Sequence, residues 1–169
     1  YQHDQNFYDL CDKHGFIVWA EIPFISEFLK GEKSYNNTIS QMTELVYQNY
    51  NHPSVCFYGI ANEVTIGGFT EELYKNLCDL HKLCKSIDPS RLTTIAHIKS
   101  VPEDSNHLYI TDVQSYNYYF GWYEGKTDEI GPEIDRLHKM HPDRCFGISE
   151  YGADCVLKWH SLNPVNHDY

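Results

Sequence analysis

Two short apolar runs in this chain each stop on a glutamate. Val55-Cys56-Phe57-Tyr58-Gly59-Ile60-Ala61 runs into Asn62-Glu63, and Cys145-Phe146-Gly147-Ile148-Ser149 runs into Glu150. Packing alone does not put a carboxylate there, because its charge resists burial. Two acids in matching positions could share one task. One carboxyl would attack an anomeric carbon while the other protonates the leaving oxygen and later activates water. That division of labour breaks a glycosidic bond with retention and needs the carboxyls about 5–5.5 Å apart. The plainer readings are that Glu63 caps a loop or pairs with a base, and that Glu150 is a surface acid.

The pair works only if both runs are strands with their ends on one rim. Residues 5–14 have helical spacing and stop at Gly15, a C-terminal cap. Strands are expected over 16–19, 55–60, 92–96, 108–113 and 145–149. Helical stripes lie between them. One begins at Thr38, with residues 24–37 read as loop. A second is capped by Thr70, and a third carries Ile130, Ile134, Leu137 and Met140. Continuous apolar strands alternating with helices predict an α/β fold with a parallel sheet. Glu63, His97, Asn117 with Tyr119, and Glu150 fall at successive C-terminal strand ends. That is the active rim of a (β/α)8 TIM barrel. No glycine-rich phosphate loop follows a strand, which argues against a doubly wound sheet. A full barrel takes about 250 residues. The 169 residues therefore predict a single domain over 1–169, an incomplete barrel of five strands belonging to a longer protein.

Composition narrows the partners. The net charge is −11, with 13 Lys and Arg scattered among 24 acids. Phosphate backbones are recognised by basic patches, so no nucleic acid is expected. No apolar run reaches the ~18 residues of a membrane span. The 14 Tyr and 3 Trp suit sugar faces and half-buried packing equally. Cys11, Cys56, Cys78, Cys84, Cys145 and Cys155 form no C-x-x-C pair and read as small buried hydrophobes of a reducing, cytoplasmic setting. The ten histidines show no ligand spacing, so no metal is expected. His97 reads as a structural histidine and Glu21 as a structural hydrogen-bonder. Trp122 is either a sugar platform or a packing residue.

Taken in order, several motifs resemble glycoside hydrolase family 2. They are Phe7-Tyr8-Asp9-Leu10-Cys11-Asp12, Val18-Trp19-Ala20-Glu21-Ile22-Pro23, Asn51-His52-Pro53-Ser54, Asn62-Glu63, Asn117-x-Tyr119-x-Gly121-Trp122-Tyr123 and Ser149-Glu150-Tyr151-Gly152-Ala153-Asp154. The resemblance implies that the five strands are the third to the seventh of the barrel. It makes Glu63 the acid/base, Glu150 the nucleophile and Asn62 the ligand of the sugar's 2-hydroxyl. Asn117 and Tyr119 match an Asn-x-Tyr whose tyrosine bonds the nucleophile. With Trp122 they form the expected substrate-binding set. The resemblance also implies β-sandwich domains and further barrel strands outside this chain, a carbohydrate substrate and no cofactor. A homo-oligomer is left open. Some members hold Mg²⁺ with a Glu and a His shortly after the third strand. Ile25-Ser26-Glu27 stands at that place here, so that site looks absent. The expected activity is hydrolysis of terminal β-galactosides. The alternatives are a β-glucuronidase, whose carboxylate-recognising Asn-x-Lys would lie beyond Tyr169, and a non-catalytic carbohydrate-binding barrel.

Overall fold

The computed structural model describes residues 1–153 and 162. Cys155 and Asp154 of the last motif lie outside them. Five parallel strands form one sheet in the order β1-β2-β3-β4-β5. They are β1 Val18–Glu21, β2 Val55–Asn62, β3 Leu92–Ile98, β4 Val113–Asn117 and β5 Phe146–Glu150. Helices α1 Gln5–His14, α2 Glu32–Asn49, α3 Glu71–Ile87 and α4 Ile130–Met140 lead into and separate the strands. The spatial order follows the chain order with no reversal. An open doubly wound sheet reverses direction at a switch point; a barrel does not. The sheet is accordingly a half-barrel.

The helices cover one face of the sheet because their apolar stripes demand it. In α3, Leu73, Leu77, Leu80 and Cys84 are buried, spaced by three and four residues. They share a core with Met42, Leu45 and Val46 of α2 and with Tyr58 and Ile60 of β2. Each such side chain contributes about 1.5–3 kcal/mol by leaving water. The Thr70 hydroxyl accepts from the Leu73 amide at 3.1 Å and caps α3. Gly15 ends α1 in the left-handed conformation at φ 73°, which glycine adopts without steric cost.

The face turned away from the helices is built from small and polar residues. Gly59 of β2 pairs with Glu21 and Thr94. The Thr94 and Ser115 hydroxyls lie 3.0 Å apart. A Cβ on Gly147 would meet the Ser115 hydroxyl at 2.6 Å. A Cβ on Gly59 would collide with the Trp19 indole nitrogen and come within 2.6 Å of the Glu21 Cβ. Glycine at 59 thus lets the Trp19 and Glu21 side chains lie across β2.

Strands β2, β3 and β5 shift by one or two residues from the sequence expectation, and three elements depart further. The first strand begins at Val18, and Phe16 and Ile17 stay 63% and 73% exposed. Helix α2 starts at Glu32, six residues before the apolar stripe, on Gly31, which offers no side-chain cap. The fourth strand is not 108–113 but Val113–Asn117. Leu108 sits in a 3-10 turn, Asn106–Tyr109, and plugs the core beside Val101, Tyr116 and Leu137. The cysteine expectation also needs correction. Cys11 and Cys84 are buried, but Cys145 precedes β5 and is exposed, and Cys56 and Cys78 are only half-buried.

The lower end of the sheet is pinned by a cluster that sequence spacing did not reveal. His52 Nδ1 lies 2.7 Å from Asp12 Oδ2, and Asp12 Oδ1 accepts from the Ser54 amide at 2.8 Å. With Asp9 these are the one acid–histidine group among the described residues close enough to share an ion. Asp12 holds both His52 and the Ser54 amide, tying α1 to the turn that launches β2. This pin stands at the opposite end of β2 from Asn62 and Glu63.

Candidate active site

The C-terminal ends of β2, β4 and β5 bring the expected pair together. Glu63 follows β2 directly and has a left-handed backbone, φ 50° and ψ 22°. A non-glycine residue rarely holds that conformation, and it costs of order 1–3 kcal/mol. Hydrogen bonds on both sides impose it. The Glu63 amide donates to Ala96 O at 2.8 Å, and Glu63 O accepts from the Ile66 amide at 3.0 Å. The neighbouring loop clamps Asn62, whose amide donates to Phe24 O at 2.8 Å while its carbonyl accepts from the Ser26 amide at 3.0 Å. Ser26 is itself left-handed at φ 63°. Two strained residues therefore fix the direction in which the Glu63 side chain leaves the rim.

Asn117 ties Glu63 to strand β5. Its register partner on β5 is Glu150. Its Nδ2 donates to Glu63 Oε1 at 2.9 Å and to Asn62 Oδ1 at 3.3 Å. Its Oδ1 accepts from the Ser149 hydroxyl at 2.7 Å. The amide is buried and saturated, so its orientation is fixed by its partners. The Tyr119 hydroxyl donates to Glu150 Oε2. Burial, and then the Glu150 carboxylate, push the Tyr119 phenol above its ordinary range. It stays a neutral donor and holds one carboxylate oxygen, leaving the other for chemistry.

Two hollows meet at Glu150. One of about 510 Å³ is lined by Trp19, Glu21, Asn62, Ala96 and Ser149 among others. The second, about 320 Å³, is lined by Glu63, Asn117, Tyr119 and Glu150 together with Lys99, Tyr123 and Glu124. The geometry thus assembles Glu63, Glu150, Asn62, Asn117 and Tyr119.

Trp122 does not join them. It is only 5% exposed, tilted 50° against Tyr123, and lines neither hollow. Tyr123, 61% exposed and edge-on to Tyr119 at 5.0 Å, lines the hollow in its place. A run of aromatics gives no period from which to choose between 122 and 123. His97 is buried and neutral: burial and nearby His107 drop it to about 3. Glu21 is more than the structural hydrogen-bonder expected. It accepts from the Trp19 indole at 2.7 Å and lines the larger hollow with Glu150. Burial raises its carboxyl above the ordinary value.

Known proteins share this fold. A curated β-glucuronidase of Bacteroides fragilis is 40% identical over 158 residues, covering 89% of this chain and 22% of its own length. A crystal structure of an FMN-binding β-glucuronidase from F. prausnitzii L2-6 superposes with a TM-score of 0.94 at 54% identity, over 97% of this chain and 26% of that one. A putative β-galactosidase from B. fragilis superposes with a TM-score of 0.85 at 35% identity, over 96% of this chain and 23% of that one. The chain thus spans about a quarter of the length of these relatives. The family model for the TIM barrel domain of glycosyl hydrolases family 2 matches residues 1–161, and the chain belongs to that family.

Proposed function

We propose that this chain carries the catalytic centre of a retaining β-glucuronidase. The observation that carries the reading is the single hollow lined by both Glu63 and Glu150, with Asn117 bonded to Glu63 and Tyr119 to Glu150. In the first step a Glu150 oxygen bonds to the anomeric carbon while Glu63 gives its proton to the departing glycosidic oxygen. In the second, Glu63 takes a proton from water, the hydroxide adds to the anomeric carbon, and Glu150 leaves as a carboxylate. Asn62, oriented through its oxygen by Asn117, would meet the sugar's 2-hydroxyl.

The glucuronide preference rests on the names of the relatives. It replaces galactoside hydrolysis as the leading reading. The B. fragilis structure described as a putative β-galactosidase keeps galactosides as the second reading. A non-catalytic barrel would have no use for a strained Glu63 aimed at the same hollow as a braced Glu150. Residues that complete the barrel and read the sugar carboxylate, and the β-sandwich domains, would come from the rest of a longer protein. The test is turnover of nitrophenyl β-glucuronide and β-galactoside by the full-length protein, with Glu150→Gln as control. Preference for the galactoside would overturn the substrate assignment. Undiminished turnover by Glu150→Gln would overturn the mechanism.

A further inference from the structure

The two hollows that meet at Glu150 differ in which other site residue they contain. Asn62 lines the larger one, and Glu63 lines only the smaller. An acid that protonates a leaving oxygen must face the leaving group. On the reading given above, the smaller hollow is therefore the leaving-group side. Its outer wall is an ion pair, with Lys99 Nζ 2.7 Å from Glu124 Oε2. Lys99 directly follows β3, and Glu124 closes the turn after β4, where the Gly121 amide donates to Glu124 O at 2.7 Å.

The lysine is held in place as well as paired. Its ammonium sits 4.3 Å from the Phe120 ring centroid and 5.7 Å from that of Tyr118, in the range of cation–π attraction. Both partners are a little over one-third exposed, so the pair itself adds little stability. Its value lies in what it presents to the hollow: a fixed donor beside a fixed acceptor.

We propose that Lys99 and Glu124 form a binding clamp for two neighbouring hydroxyls of the leaving group, so that the natural leaving group is a second sugar. One hydroxyl would accept from Lys99 and the next would donate to Glu124. A free anion suits the wall less well, because Glu63, Glu124 and Glu150 outnumber the one lysine there. A purely apolar ring would use neither partner.

The test compares kcat/KM for a saccharide-linked β-glycoside and for the nitrophenyl β-glycoside, in full-length wild type, Lys99→Met, Glu124→Gln and Lys99→Arg. It is run with both glucuronyl and galactosyl donors. A hydrogen bond to a charged group contributes enough for roughly a tenfold or larger effect. The expected result is a fall of about tenfold or more in the saccharide-to-nitrophenyl ratio for Lys99→Met and Glu124→Gln. It should be carried mainly by KM, with the ratio partly restored in Lys99→Arg. An unchanged ratio, including equal loss on both substrates, would overturn the clamp while leaving the catalytic reading intact. Failure of wild type to cleave either donor would overturn the catalytic reading and the clamp with it.

Discussion

Replacing Tyr119 with phenylalanine removes one hydroxyl and one hydrogen bond, the donation to Glu150 Oε2. The ring's edge-on contact with Tyr123 at 5.0 Å stays. A hydrogen bond to a charged group is worth about 1.5–3 kcal/mol, and each 1.36 kcal/mol is tenfold in rate. The two chemical steps should feel the loss unequally. On the proposed mechanism Glu150 gives up its charge in the first as it bonds to the sugar, so the bond from Tyr119 weakens and its help is mainly orientation. In the second, carboxylate charge returns as Glu150 departs, and the donor stabilises the transition state. Tyr119→Phe should therefore slow the second step by roughly tenfold to 150-fold. The sugar-bound enzyme should accumulate, so kcat and KM fall together. Stopped-flow release of nitrophenol should show a burst of one equivalent per site. Tyr118→Phe is the control. Its ring packs with Tyr116 and Phe120, and its hydroxyl reaches Glu133 at 3.5 Å. A kcat within twofold of wild type would refute the role given to Tyr119. So would a loss in kcat/KM as large as that in kcat, with no burst.

Glu63→Gln should cost about 10²–10⁴-fold on substrates with poor leaving groups. The first step should suffer far less with nitrophenol, which departs without a proton, and a plot of rate against leaving-group acidity checks this. Gly59→Ala should destabilise the domain by about 1–3 kcal/mol in denaturant unfolding, because the new Cβ meets Trp19 and Glu21. Glu21 sets a pH dependence of stability. Burial raises its carboxyl above the ordinary value of 4.5, so its contribution is fully present below that value and fades as pH climbs through the raised one. Glu21→Gln keeps an acceptor for Trp19 and should remove this loss, seen as a flatter melting temperature across that range.

The strand ends were readable in the sequence because charge there contradicts its surroundings. Asn62-Glu63 and Ser149-Glu150 break apolar runs, and both runs became strands ending one or two residues beyond the expected ends. Strand β4 was harder to see. Val113-Gln114-Ser115-Tyr116-Asn117 is mostly polar, yet every residue is buried: Ser115 meets Thr94, Asn117 meets Asn62, Glu63 and Ser149, and Tyr116 packs into the core. The more apolar Leu108-Tyr109-Ile110 looked like the strand and instead forms a turn over the core. The start of α2 carries no apolar period and no cap, so nothing local marked it. The Asn117 bridge was beyond reach in another sense. A motif can name Asn117, but only the fold shows that one amide serves Asn62, Glu63 and Ser149 at once.

The left-handed backbone of Glu63 sets activity against robustness. A glycine at 63 would take up φ 50° without the crowding a Cβ brings, relieving about 1–2 kcal/mol. Glu63→Gly would also take from the buried Asn117 amide the carboxylate it donates to, offsetting part of that relief, and on the proposed mechanism it could not protonate a leaving group. On the proposed mechanism the glutamate is held at a backbone setting that glycine suits better, so screening such barrels for thermal tolerance alone would not select for turnover.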